Sequence, residues 1–324
     1  MKAMVCEAFG GPEVLALREV PDPPAPGPDE IQVRIGARGV QYVDVLMLAG
    51  QYQFRPEPPF VPGSEAAGIV VEVGPGVTGF SPGDRVMVRQ RLGALAELGN
   101  AQAALCDKVP DRMSLEEAGV FRSAYMTAYH ALLQRGRMVE GEWVLVHGAA
   151  GGIGVAAIQI AKVFGAKVIA TASTEAKRAA CLEEGADHAI DYRGGFVDQV
   201  KELTGGRGVD IVYDPIGDKV ADESLRCLAW GGRLLILGFL GGGPASIRSN
   251  YLLIKGIDAI GVRIGGLNEA NPALAMANMK VLIALAAEGK LKPRISHRFA
   301  LERAGDALQA VIDRAVIGKA VVVS

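Results

Sequence analysis

The stretch Val144–Lys162, VLVHGAAGGIGVAAIQIAK, indicates a short apolar strand, a tight glycine turn and a helix that begins immediately after the turn. Gly148, Gly151 and Gly154 are spaced three residues apart, and Ala149 stands where the commoner G-x-G-x-x-G pattern has its first glycine. Small residues in such a turn permit the bend, let a pyrophosphate approach the backbone, and let the helix pack closely on the strand. The start of the helix also attracts phosphate, because its N–H groups and its dipole are positive there.

The context of this turn favours a dinucleotide site over a glycine turn without a ligand. A strand precedes the turn, an alanine-rich helix follows it, and a second apolar strand is expected over residues 167–172. The residues predicted to hold the dinucleotide are Ala150, Gly151, Gly152, Ile153 and Gly154.

The end of the second strand predicts which dinucleotide is bound. The acidic residue that would bind a ribose 2′-hydroxyl, expected about 20 positions after the glycines, is missing. Ser173 and Thr174 stand there instead, and Lys177 and Arg178 lie one turn further on. Because hydroxyl and cationic side chains suit a 2′-phosphate, the pattern predicts NADPH rather than NADH. Lys177 as a solvated charge on a helix face is the alternative, and additional use of NADH stays open.

Length and composition favour a two-domain protein that acts on small molecules. The chain has 324 residues, half of them hydrophobic, which exceeds one typical domain and supplies sizeable cores. A net charge of −2 predicts binding neither to nucleic acid nor to a membrane. The four cysteines are scattered without a C-x-x-C pair, which favours a reducing compartment. Since neither a signal peptide nor an apolar run of roughly 18 residues is found, we expect a cytoplasmic protein.

Strand and helix patterns divide the chain into two parts. Residues 1–120 show short strands punctuated by glycine and proline, as in a compact, partly closed β-domain. From the glycine turn onward, strands and helices alternate as in a doubly wound parallel sheet. The expected fold class is therefore α/β. A nucleotide-binding domain over residues 121–264 is inserted into a second domain made of residues 1–120 and 265–324.

Motifs along nearly the whole chain resemble the medium-chain dehydrogenase/reductase superfamily, in its zinc-free quinone oxidoreductase (zeta-crystallin-like) branch. Each motif is a modest signal, but together and in this order they are specific for the superfamily. The similar segments are residues 62–68 (PGSEAAG), 83–86 (GDRV), 127–132 (TAYHAL), 147–154 (HGAAGGIG), 185–188 (GADH), 191–193 (DYR), 214–217 (DPIG), 231–234 (GGRL) and 318–321 (GKAV).

The resemblance implies a GroES-like, partly closed β-barrel catalytic domain, a Rossmann domain, and a homodimer built by edge-to-edge sheet pairing near residues 258–264. It also implies that the chain works without zinc. Alcohol dehydrogenases of the superfamily bind catalytic zinc with two cysteines and a histidine, and these positions fall on Gln41, on Ser64 and near Ser123. None of these side chains is a competent zinc ligand, and the cysteines of the structural-zinc lobe are also missing.

Without a Lewis acid to ionise an alcohol, we expect hydride transfer from NADPH to an electron-poor acceptor. A quinone is favoured. Reduction of an enone or an acryloyl thioester is the runner-up, and a non-catalytic NADPH-binding structural protein is the third possibility. Tyr52 matches a tyrosine that the family places at the nicotinamide, and it would either protonate the developing oxyanion or only pack on the cofactor. An aromatic residue in a proline-rich surface loop is the alternative for Tyr52. Gln41 is the second catalytic candidate, at a position where the family usually has asparagine.

The resemblance implies further cofactor contacts, most of which follow the later strands of the Rossmann domain. Ligands of open α/β sheets bind at the carboxyl ends of the strands. Tyr192 is implied as a partner of Lys177 at the 2′-phosphate, with packing beside the adenine as its alternative. Thr127 is implied as a cofactor contact, with a helix N-cap as its alternative. The remaining predicted contacts are Gly217, Phe239, Leu240, Val262 and Arg263.

Overall fold

The computed structural model describes residues 1–324 and divides them into two compact units: Met1–Ser123 with Lys292–Ser324, and Ala124–Leu291. The strands are β1 (Lys2–Cys6), β2 (Leu15–Glu19), β3 (Glu30–Val40), β4 (Glu65–Val73), β5 (Arg85–Arg89), β6 (Leu98–Gln102), β7 (Cys106–Lys108), β8 (Trp143–Val146), β9 (Lys167–Thr171), β10 (His188–Ile190), β11 (Val209–Asp214), β12 (Leu228–Ile236), β13 (Asp258–Gly261), β14 (Ile295–Ala300) and β15 (Lys319–Val323). The helices are α1 (Tyr42–Leu48), α2 (Leu115–Tyr129), α3 (Gly152–Val163), α4 (Glu175–Glu183), α5 (Val197–Leu203), α6 (Asp218–Cys227), α7 (Ser249–Lys255), α8 (Ile264–Ala270), α9 (Pro272–Ala287) and α10 (Ala304–Ile312). None of these helices has the length and the apolar surface needed to cross a membrane.

The first unit is built on a seven-stranded sheet in the order β14-β15-β3-β4-β5-β7, with β6 also paired to β3. Its pairings are antiparallel except that of β14 with β15. The register of β3 against β4 shifts twice, between Gln32 and Val33 and between Ile35 and Ala37. Such bulges bend a strand. The two halves of β3 accordingly take different second partners, β6 at the beginning and β15 at the end.

The second unit is built on six parallel strands in the order β10-β9-β8-β11-β12-β13. Counted from β8, this is the 3-2-1-4-5-6 order of the doubly wound dinucleotide-binding fold. Val144, Leu145 and Val146 of β8 are fully buried, as expected for a parallel strand in the middle of such a sheet. The strand order reverses between β8 and β11, and ligands of such sheets bind outside the carboxyl ends of the strands at that point.

The end of the second unit differs from the boundary at residue 265 that the sequence suggested. Helices α8 and α9 belong to this unit, which extends to Leu291. Asn278 of α9 is buried and shares two hydrogen bonds with Gln134, donated by Gln134 Nε2 over 2.7 Å and by Asn278 Nδ2 over 3.2 Å. The apolar pattern of α9 predicts a helix but not its partner, because that partner lies 144 residues earlier in the chain.

Helix α3 packs so closely on the turn after β8 that Gly154 has no room for a side chain. A Cβ atom at this position would lie 2.5 Å from the Gly148 carbonyl oxygen and 2.6 Å from the Cα of Ala149. Both are backbone atoms, which cannot rotate away as a side chain would. Gly154 therefore sets the distance between the helix and the turn.

We expect Gly154→Ala to lower the free energy of unfolding by about 1–3 kcal/mol because the added methyl group overpacks this contact. A decrease would be informative because alanine normally stabilises a helix by up to ~1 kcal/mol relative to glycine, which would change the free energy of unfolding in the opposite direction. Urea unfolding followed by circular dichroism measures the change. Gly194→Ala is the control, because a Cβ there would meet no atom within 4 Å. An unchanged or stabilised Gly154→Ala protein would contradict the close packing.

Candidate functional site

The turn between β8 and α3 lies at the carboxyl edge of the parallel sheet, where the strand order reverses. Gly148 has a φ of +57°, in the left-handed region that favours glycine, and its carbonyl oxygen accepts the N–H of Gly151 over 3.0 Å. Gly151 is the N-cap of α3 and places no side chain over the first N–H groups of this 12-residue helix. A Cβ at Gly151 would meet only the Gly148 oxygen, at 3.3 Å. The predicted segment Ala150–Gly154 thus surrounds a positive helix end without a side-chain cap.

His147 fixes this turn to the sheet and is buried. Its Nδ1 lies 3.0 Å from Thr171 Oγ1 and its Nε2 lies 2.8 Å from Ser224 Oγ. The ring of Phe196 packs edge-on against the imidazole, with the ring centroids 4.9 Å apart. Burial lowers the pKa of His147 to about 3, so the imidazole is neutral at physiological pH. Both nitrogens have hydroxyl partners, and the residue acts through packing and hydrogen bonding.

Asp214, at the end of β11, shapes the start of α6 and was given no role from the sequence. Its Oδ1 accepts the N–H of Ile216 over 2.7 Å and the N–H of Gly217 over 3.0 Å. Gly217 has a φ of +72°, and a Cβ there would lie 2.8 Å from the Gly243 oxygen. The Oδ2 of Asp214 is buried without a hydrogen-bond partner, and burial raises the pKa of this carboxyl. The only sequence signal for Asp214 was its place in the DPIG segment.

The predicted contacts after β12 and β13 lie at the same edge of the sheet. The N–H of Leu240 donates to the carbonyl of Pro215 over 3.1 Å, and the N–H of Val262 donates to the carbonyl of Ile236 over 2.9 Å. Backbone hydrogen bonds thus join the loop after β12 to the loop after β11, and the residue after β13 to the end of β12. The side chain of Phe239 is half exposed.

The structure also places Arg263 and Thr127, two of the predicted cofactor contacts. Arg263 is exposed, and its guanidinium lies 3.5 Å from the Glu269 carboxylate. Thr127 lies in the last turn of α2 and is half-buried. The N-cap alternative for Thr127 is wrong, because the helix begins 12 residues earlier, at Leu115.

Hydroxyl and cationic groups follow β9 and β10. Thr174 is the N-cap of α4, where its Oγ1 accepts the N–H of Lys177 over 3.3 Å. Asp191 accepts two guanidinium groups, from Arg193 at 2.6 Å and from Arg178 at 3.1 Å. These partners, with Arg193 the stronger, hold the pKa of Asp191 well below its usual range. One carboxylate shared by two arginines leaves an excess of positive charge in this cluster.

Ser173 and Tyr192 each lie two residues after the end of their strands, β9 and β10, which are neighbours in the sheet. Thr171 pairs with Ile190 in the sheet, and the N–H of Ala172 donates to the Ile190 carbonyl over 3.1 Å. Ser173 is half-buried, and the ring of Tyr192 packs partly buried against the apolar core of the sheet. The predicted residues of the 2′-phosphate end therefore come from two adjacent strand ends.

In the first unit, Gln41 belongs to a closed ring of hydrogen bonds with Glu65 and Ser123. The Nε2 of Gln41 donates to Glu65 Oε2 over 3.1 Å, and Ser123 Oγ donates to Gln41 Oε1 over 2.8 Å. The backbone N–H of Ser123 closes the ring by donating to Glu65 Oε1 over 2.8 Å. Glu65 was missed as a site residue, and its only signal was its place in the PGSEAAG segment.

Tyr52 lies in the loop after α1 and does not take part in this ring. Its side chain is half-buried. The side-chain hydrogen bonds of Gln41 go to Glu65 and Ser123 and not to Tyr52. The structure therefore does not join the two predicted catalytic residues directly.

Two carboxyl groups and one ammonium group are buried around the ring. Lys319 Nζ lies 3.8 Å from Glu65 Oε2 and offsets its charge. Burial raises the pKa of Glu65, while Lys319 and the N–H of Ser123 oppose the rise. Burial also raises the pKa of Asp44 to about 7, against the N–H of Gln41, which donates to Asp44 Oδ2 over 2.8 Å. The Oδ1 of Asp44 has no hydrogen-bond partner.

A mixed, mostly antiparallel sheet unit together with a doubly wound parallel sheet that carries a glycine turn at its switch point is the architecture of the medium-chain dehydrogenases and reductases. Known proteins agree with this class. Residues 27–134 match the family described as alcohol dehydrogenase GroES-like domain, and residues 152–279 match the family described as zinc-binding dehydrogenase. The expected pairing of a GroES-like domain with a Rossmann domain is thereby confirmed.

Relatives that match nearly the whole chain identify the family within this superfamily. Quinone oxidoreductase-like protein 2 of Rattus norvegicus is 37% identical over 98% of this chain and 91% of its own. Quinone oxidoreductase of Homo sapiens is 32% identical over 96% of this chain and 94% of its own. The crystal structure of Escherichia coli quinone oxidoreductase complexed with NADPH has a TM-score of 0.92 and 32% identity, and covers 100% of both chains. The chain belongs to the quinone oxidoreductase family of the medium-chain dehydrogenase/reductase superfamily, and it is an oxidoreductase.

The name of one matched family refers to zinc, and the side chains here do not fit that ion. No group of three or more His, Cys, Asp or Glu side chains is placed to hold a metal. Of the three positions that the resemblance assigns to zinc ligands, Gln41 and Ser123 are hydrogen-bonded to each other and Ser64 offers a hydroxyl. The four cysteines are separate buried thiols. Since neutral amides and hydroxyls are poor zinc donors, we derive no chemical step through a metal.

The raised pKa of Asp44 predicts a pH dependence of stability. The native carboxyl keeps its proton up to about pH 7, whereas the unfolded chain releases it near its ordinary value of 3.8. The native state therefore binds more protons between these values, and the contribution of Asp44 to the free energy of unfolding falls as the pH rises through this range. We expect Asp44→Asn to remove this contribution, which amounts to at most ~1.4 kcal/mol per pH unit. Urea unfolding at intervals from pH 4 to pH 8 measures the slope.

Asp111→Asn serves as the control, because Asp111 is exposed. The slope of this control should match that of the wild-type protein. Identical slopes for Asp44→Asn and the wild type would show that Asp44 does not titrate differently in the native and unfolded states.

Proposed function

We propose that this protein reduces a quinone with NADPH by hydride transfer that needs no metal. The observation that carries the proposal is the glycine turn at the switch point, where α3 begins without a side-chain cap. Such a helix end, in a sheet with this strand order, suits the pyrophosphate of a dinucleotide. Relatives named quinone oxidoreductase match nearly the whole chain, and one of them was crystallised with NADPH.

The residues of the second unit fit NADPH along its length. The hydride comes from the cofactor, and the chain supplies binding and orientation. We assign the pyrophosphate to Ala150–Gly154, where the backbone is open and the helix end is positive. The 2′-phosphate is assigned to Ser173, Thr174, Lys177 and Tyr192, beside the carboxylate of Asp191 that Arg178 and Arg193 share. The remaining proposed contacts are Thr127, Gly217, Phe239, Leu240, Val262 and Arg263.

Tyr52 and Gln41 are the proposed donors to the acceptor. Negative charge builds on an acceptor oxygen as the hydride arrives, and a hydroxyl or amide N–H stabilises it. Gln41 Nε2 retains one hydrogen after donating to Glu65. A hydride and a proton together convert a quinone to a hydroquinone. The same groups would serve an enone, so the choice of acceptor is decided by assay.

We also propose that the chain forms a homodimer through the open edge of the parallel sheet. Strand β13 is the last strand of that sheet and pairs only with β12. The large side chains of Trp230, Leu253 and Ile254 in the same unit are strongly exposed. Light scattering during size-exclusion chromatography measures the molecular mass in solution. A monomeric mass would exclude the homodimer.

We expect the protein to consume NADPH in the presence of an ortho- or para-quinone, and Tyr52→Phe to lower kcat by roughly tenfold or more if its hydroxyl acts as a proton donor. Absorbance of NADPH measures the rate with one quinone of each type and one enone. Tyr251→Phe is the control, since Tyr251 packs against the core of the parallel sheet. An unchanged Tyr52→Phe rate on every acceptor removes Tyr52 from the mechanism. Tight NADPH binding without turnover of any acceptor favours a non-catalytic role.

We expect Lys177→Ala to raise KM for NADPH by about tenfold while leaving KM for NADH unchanged, because a hydrogen bond to a charged group contributes about 1.5–3 kcal/mol. Steady-state kinetics with both cofactors at a fixed quinone concentration measures the ratio. Lys201→Ala on the exposed face of α5 is the control. Equal changes for the two cofactors would exclude Lys177 from the 2′-phosphate site.

A further inference from the structure

We propose that Glu65 and Ser123 are positioning residues that hold the side-chain amide of Gln41 in one orientation during the reduction. The inference rests on the proposed function and adds to it the groups that act through Gln41. All three residues lie in the first unit, and the three hydrogen bonds among them form a closed ring.

The donor and acceptor groups of the partners determine which end of the Gln41 amide faces each of them. An ionised carboxylate only accepts hydrogen bonds, so the end of Gln41 that meets Glu65 is Nε2. The other end is then Oε1, and the Ser123 hydroxyl donates to it. A flipped amide would place Oε1 against the carboxylate, where two acceptors repel each other. Glu65 thus sets the orientation and Ser123 reinforces it.

Glu65 is itself held in place, which lets it orient its neighbour. Its Oε1 accepts the backbone N–H of Ser123, and its Oε2 lies 3.8 Å from Lys319 Nζ. The backbone around it is close-packed, because a Cβ at Gly39 would lie 3.1 Å from Glu65 Oε2 and 2.6 Å from the Gly119 oxygen. Burial raises the pKa of this carboxyl, and the Lys319 ammonium together with the N–H of Ser123 opposes the rise by favouring the ionised, accepting form.

The ring leaves Gln41 with one unused N–H hydrogen in a fixed direction. The side chain is half-buried and so remains partly accessible. A donor that is oriented in advance stabilises a developing negative charge without reorganising during the reaction. Gln41 would bind the acceptor oxygen, while Glu65 and Ser123 act only through Gln41.

The test measures kcat and KM for the quinone and for NADPH in Ser123→Ala, Glu65→Gln and Gln41→Ala. We expect kcat to fall on the order of tenfold in the first two variants, less than the roughly hundredfold loss that a 1 Å misplacement can cause. KM for NADPH should not change, because none of the three side chains is among the proposed cofactor contacts. Ser123→Thr keeps a hydroxyl and should restore most of the rate. Glu72→Gln, an exposed change on the same strand, is the matched control.

A double-mutant cycle separates positioning from a general structural role. If Ser123 acts through Gln41, adding Ser123→Ala to Gln41→Ala lowers kcat no further. If the kcat losses of the two substitutions multiply in the double variant, or if Ser123→Ala has the kcat of the wild type, the inference is overturned and the proposed function stays intact. A wild-type protein that oxidises NADPH with none of the acceptors would overturn the proposed function, and this inference with it. If Glu65→Gln does not fold, the Ser123 variants still decide the outcome.

Discussion

The missing side chain of Gly154 is the constraint on which the second unit depends. The Gly148 oxygen would lie 2.5 Å from a Cβ at this position, so the first turn of α3 approaches the bend after β8 as closely as backbone allows. That approach places the N–H groups of the helix at the carboxyl end of a central strand, where the order of the sheet reverses. The site follows from this contact, because a phosphate can meet several N–H groups only where no side chain stands in front of them.

The first unit depends on a different kind of interaction, the burial of charge. Glu65 and Asp44 are both buried, and Lys319 Nζ lies 3.8 Å from the Glu65 carboxylate. A buried carboxylate without compensation is costly, so each oxygen must find a donor or take up a proton. Glu65 accepts hydrogen bonds from Gln41 and Ser123, and Asp44 accepts one from the backbone, while burial raises the pKa of both carboxyl groups. The same need for compensation that stabilises the unit also orients Gln41.

Local patterns predicted most of the fold, and long-range contacts explain what they missed. The strand, the glycine turn and the helix at residues 144–162 are local, and the sequence placed them correctly. The hydroxyl residues after β9 were likewise read from the order of residues alone. Glu65 was missed because its partner Ser123 lies 58 residues away, and Gln41 and Ser123 were noted separately because 82 residues lie between them. Neither composition nor periodicity reports such pairings. The roles of Tyr52 and Gln41 stay predictions.

The neutral imidazole of His147 has a consequence for ligand affinity. Histidine is the side chain whose charge ordinarily changes near neutral pH. This one is locked between two hydroxyl groups with its pKa near 3, so it carries no charge from mildly acidic to alkaline conditions. The electrostatic potential that His147 contributes at the glycine turn is accordingly constant over that interval. A change of dinucleotide affinity around pH 6 would then not come from this histidine, whereas the second ionisation of the ligand's own phosphate monoester falls in that range.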